Sequence, residues 1–592
     1  MRKTLQLIAA VIFLNACRQL PAVEDSLTVS EAMDNVVTRL YNEVSPAKFA
    51  EIDDDFVLKF LQPAERTAFA TQYQYFTVNV PVRVSLMRHV DQKIVPFWLP
   101  ESGFTKTNLR VKNDTGYEYE VWQREYPAGK IELGINGFDK HRPVYFVTVG
   151  AVDPTQPLEI TEIFPSQYEV ATMKTGAFTY HDWSGLLLTE VPEELLGQKL
   201  LTTVRGRARE SHIIGAFRNT PFQSTDEPDQ IMLTWSRSPL TTIDIQWRTN
   251  TTVAHGAVRY WPDNRRDTLK VDAVRKLIED RMLFNDRYIH RFTAELNDLK
   301  SGVTYHYQVG SEEKGVWSEP RSFSTQTDKT QNFSFVWFGD THCFPDSGRL
   351  VSLADRQNQD AAFYTIAGDV VSTGLNRDDW DKLFQYSGDV FAKKPLMPVP
   401  GNHDRQDGLG AQLYYDLFSL PKNGPSKVDD ESSYSFEYGN ALFLMIDATS
   451  EVADHTAWIE QRLSSSKATW KFAIFHFPPY NFEEPYPDIQ DAWVPLFDKY
   501  HLDMVMGGHI HYYMRSRPMN NGKVVDSFSK GTVYAISISI PSSHDNMTAE
   551  PYAVQQFDRG YFYQRMEIKG NVLTYSAVDA NGAVKDEFQI RK

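Results

Sequence analysis

From residue 332 onward the sequence repeats one device: an apolar run that stops abruptly on side chains able to hold a metal ion. Phe333, Phe335, Val336, Trp337 and Phe338 end in Gly339-Asp340-Thr341-His342. Asp340 and His342 stand two apart, so in an extended chain they point to one face. Alone, that spacing suits a chelating pair or an ordinary polar strand end. The device recurs at Ile366-Ala367-Gly368-Asp369, Pro400-Gly401-Asn402-His403-Asp404, Phe475-His476-Phe477-Pro478-Pro479-Tyr480 and Gly507-Gly508-His509-Ile510-His511. Helical stretches separate the runs, and apolar β-runs alternating with helices make a sheet flanked by helices. Ligands of such folds collect beyond the C-terminal ends of the strands. Five loops of this kind therefore converge, and their company decides for a metal site over a polar strand end.

The rest of the chain reads differently. Its 592 residues exceed what one hydrophobic core organises, so several domains are expected. Val29, Met33, Val36, Val37, Leu40, Tyr41 and Val44 share one helical face, which predicts a short amphipathic helix within a linker over 18–45. Residues 46–215 carry strand patterns: Phe76, Val78, Val80, Val82, Val84 and Leu86 alternate, Pro143–Val149 is another β-run, and Asn113-Asp114-Thr115-Gly116 is a turn. This predicts a β-sandwich without visible chemistry, a spacer or packing module. Over 222–326, Ile231–Trp235, Ile243–Thr249, Tyr288–Leu296 and Thr304–Val309 predict a second sandwich of the fibronectin type III kind. Val271–Leu283 reads as a helical insertion between its strands.

Net charge is −16, with no Lys/Arg block past the N-terminus. A nucleic-acid backbone needs a basic stripe, so nucleic acid is not an expected partner. An anionic substrate needs a strong local positive centre. At the N-terminus, Arg2 and Lys3 precede an apolar run over 5–14 that is too short to span a bilayer. It has the form of a signal peptide over 1–17. Its end, Leu14-Asn15-Ala16-Cys17, resembles the lipobox of bacterial lipoproteins; the other reading is a plain secretory signal with an incidental cysteine. The first reading predicts lipidation at Cys17, a cell-envelope location and membrane contact through that anchor alone. Cys343 is the only other cysteine. It is expected to be a small packed residue, neither nucleophile nor ligand, and the exported fold stands without an internal disulfide.

The ordered set of five motifs resembles the calcineurin-like metallophosphoesterases, and within that superfamily the purple acid phosphatases. The preceding fibronectin-like module, His476-Phe477-Pro478-Pro479-Tyr480, and the closing turns at Gly570-Asn571 and Asn581-Gly582 carry the narrower likeness. It covers about residues 226–592 and says nothing of 18–215. Together with the strand patterns of 46–215, this gives the expectation of a multidomain chain: two N-terminal all-β sandwiches, then, as the resemblance implies, an α/β catalytic domain over 330–592 built as an α-β-β-α sandwich. The resemblance also implies a dinuclear centre in which Asp340, His342 and His511 bind one ion. Asp369 bridges both, and Asn402, His476 and His509 complete the second. His403 is implied not as a ligand but as a group beside the phosphoryl, with Asp404 holding its orientation. Such a pair of ions holds a bridging hydroxide and clamps the phosphoryl oxygens, so water attacks phosphorus directly.

Three departures from the purple enzymes stand out. They carry Gly where this chain has His342, and Tyr where it has Ser372. A tyrosinate balances a trivalent ion; without it, two carboxylates and a hydroxide leave the same net charge on two divalent ions. The expected cofactors are therefore two divalent metals (Zn, Mn or Fe), an Fe(III)-divalent pair being the other option, without the purple colour. Met514 stands where the family commonly has Glu, so the family's acid preference is not carried over. The expected function is hydrolysis of small phosphate monoesters. Phosphodiester hydrolysis is the alternative within the same motifs, and a surface-binding protein with a vestigial catalytic domain is the alternative outside catalysis.

Overall fold

The computed structural model describes residues 27–592 apart from 142, 181–185, 264–266, 406–409, 484–485 and 545–546. Cys17 and the expected signal peptide over 1–17 lie outside the described residues. Among those described, no helix is long and apolar enough to cross a membrane.

The chain builds three layered bodies in sequence order. In the first, a three-stranded sheet (Gly129–Leu133, Gln74–Val78, Ile160–Phe164) and a seven-stranded sheet are packed with helices. The alternating run 76–86 is not one strand. It divides at Pro81 into Gln74–Val78 and Val82–His89, which belong to different sheets. Proline cannot donate to a β-ladder, so the change of sheet falls there. The helix Val29–Glu43 forms as expected, opened by a capping box between Thr28 and Glu31. It is no linker, however: Val29, Met33, Val36, Val37 and Leu40 are buried in the same core as both sheets' Phe76, Val84 and Ile131. Helices Asp54–Phe60 and Pro63–Thr71 join that body and were not anticipated.

The second body is a β-sandwich. One sheet orders Asp229–Thr234, Ile243–Asn250, Tyr288–Leu296 and Val274–Glu279; the other centres on Ala257–Pro262 and Thr304–Ser311. The expected helix at 271–283 is absent. Leu269–Asp272 and Val274–Glu279 are strands, the latter pairing from Val274↔Thr293 to Glu279↔Tyr288. A helix would have left the Tyr288–Leu296 ladder unpaired along that edge; a short apolar run satisfies either period, and the unpaired edge decided.

The third body is an α-β-β-α sandwich. Its five-stranded sheet runs Ala361–Ile366, Asn332–Phe338, Phe562–Lys569, Val572–Asp579, Val584–Arg591, with the expected turns at Gly570 and Gly582 closing the last strands. Its seven-stranded sheet contains the parallel run Ala441–Met445, Trp470–Ile474, Met504–Gly507, Val533–Ile536. Phe335, Phe363, Phe443 and Phe472 fill the space between the sheets. Helix Val452–Ser465 and its neighbours cover the far side through Trp458, Trp493 and Phe497. The second body is fused to the third. Leu233 N–H donates to Phe391 O, Leu396 N–H donates to Leu233 O, and the buried Arg248 guanidinium reaches Asp381 at 2.9 Å.

Candidate metal centre

Asn332–Phe338 and Ala361–Ile366 are parallel neighbours ending in step, Phe338 opposite Ile366. The loops beyond them therefore leave side by side. Thr341 and His342 N–H both donate to the Asp369 carbonyl, which fixes the first two motifs against each other. In the other sheet, Trp470–Ile474 and Met504–Gly507 are likewise parallel neighbours, and Gly508 N–H donates to His476 O at 3.0 Å. The Asn402 loop follows Val399, which bridges in parallel to Ala367. All five motifs thus meet at one edge of the sandwich, beyond the C-terminal strand ends.

The loops hold strained backbone. His342, Cys343, Asp369 and His509 have φ of 45°, 53°, 47° and 68°. The left-handed region costs roughly 1–2 kcal/mol for a residue with a Cβ, and such residues cluster where a site dictates their direction. Two glycines are required by closeness. A Cβ on Gly508 would lie 2.3 Å from Asp340 Oδ1, and one on Gly368 would lie 2.5 Å from the His476 ring.

Three overlapping groups result, each with ligand atoms within 4.8 Å of one another: Asp340, His342 and His511; His342, Asp369 and His403; Asp369, His476 and His509. Asn402 joins the last, its Oδ1 3.1 Å from His476 Nε2. Every residue expected at the centre is present, and Asp369 and His342 each belong to two groups. Second-layer bonds orient the rings. His476 Nδ1 lies 2.9 Å from Ala367 O, and a carbonyl only accepts, so Nδ1 carries the proton and Nε2 faces Asp369 Oδ2 at 3.3 Å. Asp340 accepts His509 N–H at 2.7 Å on Oδ1 and faces His511 Nε2 at 3.2 Å on Oδ2.

The electrostatics suit cations. Burial works against ionisation of Asp369, yet the His476 charge and the other imidazoles hold its carboxyl well below the usual range. Burial depresses His342 to about 4, which keeps its ring neutral and ligand-competent. His476 is raised to about 9 because the charges of Asp369 and then Asp340 outweigh its burial. A cation held there would have to displace that proton, with His476 as a neutral ligand. Oxygen and imidazole donors in this arrangement fit borderline divalent metals.

His403 lines a cavity of about 400 Å³ together with Asp369, Asn402, His509 and His511. Its ring partner is not Asp404. His403 Nδ1 bonds the Ser372 carbonyl at 2.8 Å, whereas Asp404, fully buried, accepts backbone N–H groups of Gly401, Val370 and Val371 at 2.8, 3.1 and 3.0 Å. The expected orienting role of Asp404 is thereby corrected: it fastens the Asp369 loop to the His403 loop. Ser372 Oγ donates to His342 O at 2.7 Å, so its hydroxyl is committed away from the centre. Cys343 is buried and its thiol pushed up to about 12 by burial, in keeping with a packed residue. Met514 is buried with Ile510, Tyr512 and Ile536 and is no part of the cavity wall.

One strand-end aspartate escaped the sequence reading. Leu442–Ile446 is an apolar run ending in Asp447, the same device again. Asp447 Oδ2 accepts Arg405 Nη1 at 2.7 Å and Ser450 Oγ at 2.6 Å, so it anchors the far end of the Asn402-His403-Asp404-Arg405 loop rather than joining the centre.

A sandwich of this kind with carboxylates and imidazoles gathered at its strand ends defines a metallophosphoesterase. Comparison with known proteins agrees and narrows the family. The model of the purple acid phosphatase N-terminal domain matches residues 228–325, and that of the calcineurin-like phosphoesterases matches 333–513. Residues 333–513 thus form a calcineurin-like phosphoesterase domain, preceded at 228–325 by a domain of the purple acid phosphatase N-terminal kind. It is 24% identical over 319 residues to the Fe(3+)-Zn(2+) purple acid phosphatase 12 of Arabidopsis thaliana, covering 50% of this chain and 66% of that one. The purple acid phosphatase of Glycine max gives 24% over 319 residues, 50% of this chain and 67% of that one. The matches thus span about two thirds of these relatives' lengths. Among solved structures, a purple acid phosphatase from yellow lupin (Lupinus luteus) seeds aligns with a TM-score of 0.55 and 15% identity, over 88% of this chain and 91% of that chain. At that identity the likeness is one of fold.

Proposed function

We propose that this protein hydrolyses phosphate monoesters at a dinuclear metal centre held by Asp340, His342, Asp369, Asn402, His476, His509 and His511. The observation that carries the reading is the convergence of all seven donors, four of which (Asp369, Asn402, His509 and His511) line a cavity together with His403. When bound, the two cations supply Lewis acidity toward phosphoryl oxygens and an activated water. The protein's own residues do the rest. Asp369 and Asp340 neutralise the cations, and His476 and His342 fix them. With its Nδ1 proton committed to Ser372 O, His403 has Nε2 left to donate to the leaving oxygen when the ring is protonated.

Two divalent ions fit this centre best. The position at which the purple enzymes carry tyrosine holds Ser372, whose hydroxyl is spent on a backbone carbonyl, and His342 supplies a neutral donor instead. Export and a lipid anchor at Cys17 place the enzyme at a cell envelope, supported by the Leu14-Asn15-Ala16-Cys17 sequence. Its substrates there are small phosphorylated molecules.

The test is turnover of p-nitrophenyl phosphate against bis-p-nitrophenyl phosphate by metal-reconstituted protein. Faster monoester turnover is expected. Preference for the diester would move the assignment to phosphodiesterase, and turnover of neither would favour a binding role for the whole chain.

A further inference from the structure

A cavity of about 760 Å³ lies in the first body, and none of the five motifs contributes to it. Its wall includes the place where Gln74–Val78 and Ile160–Phe164 lose register. Tyr75 pairs with Phe164 and Thr77 with Thr161, so Glu162 and Ile163 stand opposite Phe76 alone. A bulge of this kind re-aims the side chains it carries. Glu162 takes a φ of 51° there, in the left-handed region that disfavours a residue with a Cβ. Its carboxylate accepts Thr77 Oγ1–H at 2.7 Å and is thereby held in place.

The same wall carries an aromatic stack. The rings of Tyr75 and Phe164 lie parallel, 4.8 Å apart with 9° between their planes. Lys130, on the strand at the other side of Gln74–Val78, places Nζ 4.3 Å from the Tyr75 centroid. Tyr75 is therefore covered, whereas Phe164 is 39% exposed where it lines the cavity. Arg207 also lines it, but its guanidinium is committed. Nε and Nη2 hold Glu210 at 2.7 and 2.8 Å, Nη1 donates to Tyr168 Oη at 2.8 Å, and Nη2 donates to Tyr73 O at 2.7 Å.

The chemistry of this wall selects its ligand. Glu162, Glu210 and Arg207 are the charged residues among those lining it, one negative charge in excess, so an anion is disfavoured. Around the open phenyl ring stand Gln72, Gln167, Ser166 and the Glu162 carboxylate, none of them buried. A wholly apolar ligand would leave those groups without partners. A sugar ring has a face of C–H groups that lies on an aromatic ring and an edge of hydroxyls that pair with amides and carboxylates, and the cavity has the volume of a small-ligand site. We infer that it binds a neutral carbohydrate, one sugar ring lying on Phe164 with its hydroxyls on Glu162, Gln167 and Gln72. The first body is then more than a spacer: it tethers the chain to a glycan, independently of what the metal centre hydrolyses.

Calorimetric titration of the full-length protein with maltohexaose, cellohexaose and chitohexaose tests this. At least one should bind. Phe164→Ala should weaken that binding about tenfold, the worth of one stacked ring, and Phe164→Trp should retain it, because an indole offers the same open face. Gln167→Ala, at an exposed position, should weaken it about fivefold, the worth of one hydrogen bond. Turnover of p-nitrophenyl phosphate should be the same in all three variants. Absence of binding with all three sugars would overturn the inference, whether the cavity takes another ligand or the chain ahead of Leu27 fills it. So would an affinity that Phe164→Ala leaves at the wild-type value. If Phe164→Ala melts early, Gln167→Ala decides, and unchanged affinity in that variant overturns the inference too. A phosphatase rate that falls together with sugar affinity would put the sugar at the metal centre instead of here.

Discussion

The Nδ1 of His403 lies 2.8 Å from the carbonyl oxygen of Ser372, three residues beyond Asp369. A carbonyl cannot donate, so the bond fixes both the tautomer and the plane of the ring. Ser372, the residue that stands where the purple enzymes carry tyrosine, thereby orients the ring proposed above to serve the leaving group.

His403→Ala should consequently lower kcat for p-nitrophenyl phosphate by about 10²–10⁴-fold, the usual worth of a positioned general acid. Metal content measured by plasma mass spectrometry should stay at that of wild type. Loss of metal together with rate would instead make His403 a ligand, as its place in the group with His342 and Asp369 also permits.

Asp404 predicts a different phenotype. Its carboxyl accepts three backbone N–H groups from the loops carrying Asp369 and Asn402. Asp404→Ala orphans them, at about 1–3 kcal/mol for each buried donor left unmade. The melting temperature should drop by several degrees, with weakened metal retention. An unchanged melting curve would show that these loops do not depend on it.

The Arg405–Asp447 pair gives a pH dependence. Burial works against the Asp447 carboxylate, but Arg405 and then Ser450 hold its pKa below the ordinary value. A carboxyl depressed on folding contributes stability that is fully present above its unfolded pKa near 4 and is lost as pH falls through the lower folded value. Denaturant titrations from pH 7 down to pH 3 should show wild type losing stability in the acid range faster than Asp447→Asn. At neutral pH that variant should be the weaker by about 3–5 kcal/mol, the cost of stranding one partner of a buried pair. Parallel profiles for the two proteins would refute the role.

At the N-terminus, Cys17→Ser should release the protein from the membrane fraction of expressing cells and abolish labelling with radioactive palmitate. Labelled serine variant, or unlabelled wild type, would return the segment to a plain secretory signal.

How much of this was legible beforehand differs by region. The α/β body was readable because each strand ends on a residue of distinct chemistry, so Asp340, Asp369, Asn402, His476 and His509 announce themselves in order. Its supporting bonds were not, because they run through backbone carbonyls such as Ser372 O and Ala367 O, which no side-chain pattern encodes. Asp404 was misassigned for the same reason: adjacency in sequence suggested a side-chain bond to His403, and the loop spent the carboxylate on amides. In the N-terminal half, alternation across Phe76–Leu86 concealed a change of sheet at Pro81, and the apolar spacing of 271–283 satisfied helix and strand equally until an unpaired ladder decided.

The central claim is a centre of two metal ions sharing Asp369, and Asp369→Asn tests it most directly. Wild-type protein reconstituted with zinc, manganese or iron(II) should bind two ions per chain, show no intense tyrosinate-to-iron band and hydrolyse p-nitrophenyl phosphate. The variant should keep its circular dichroism, lose at least one ion per chain and lose activity. Wild type holding one ion or none while fully active, or the variant hydrolysing at the wild-type rate, would contradict the account.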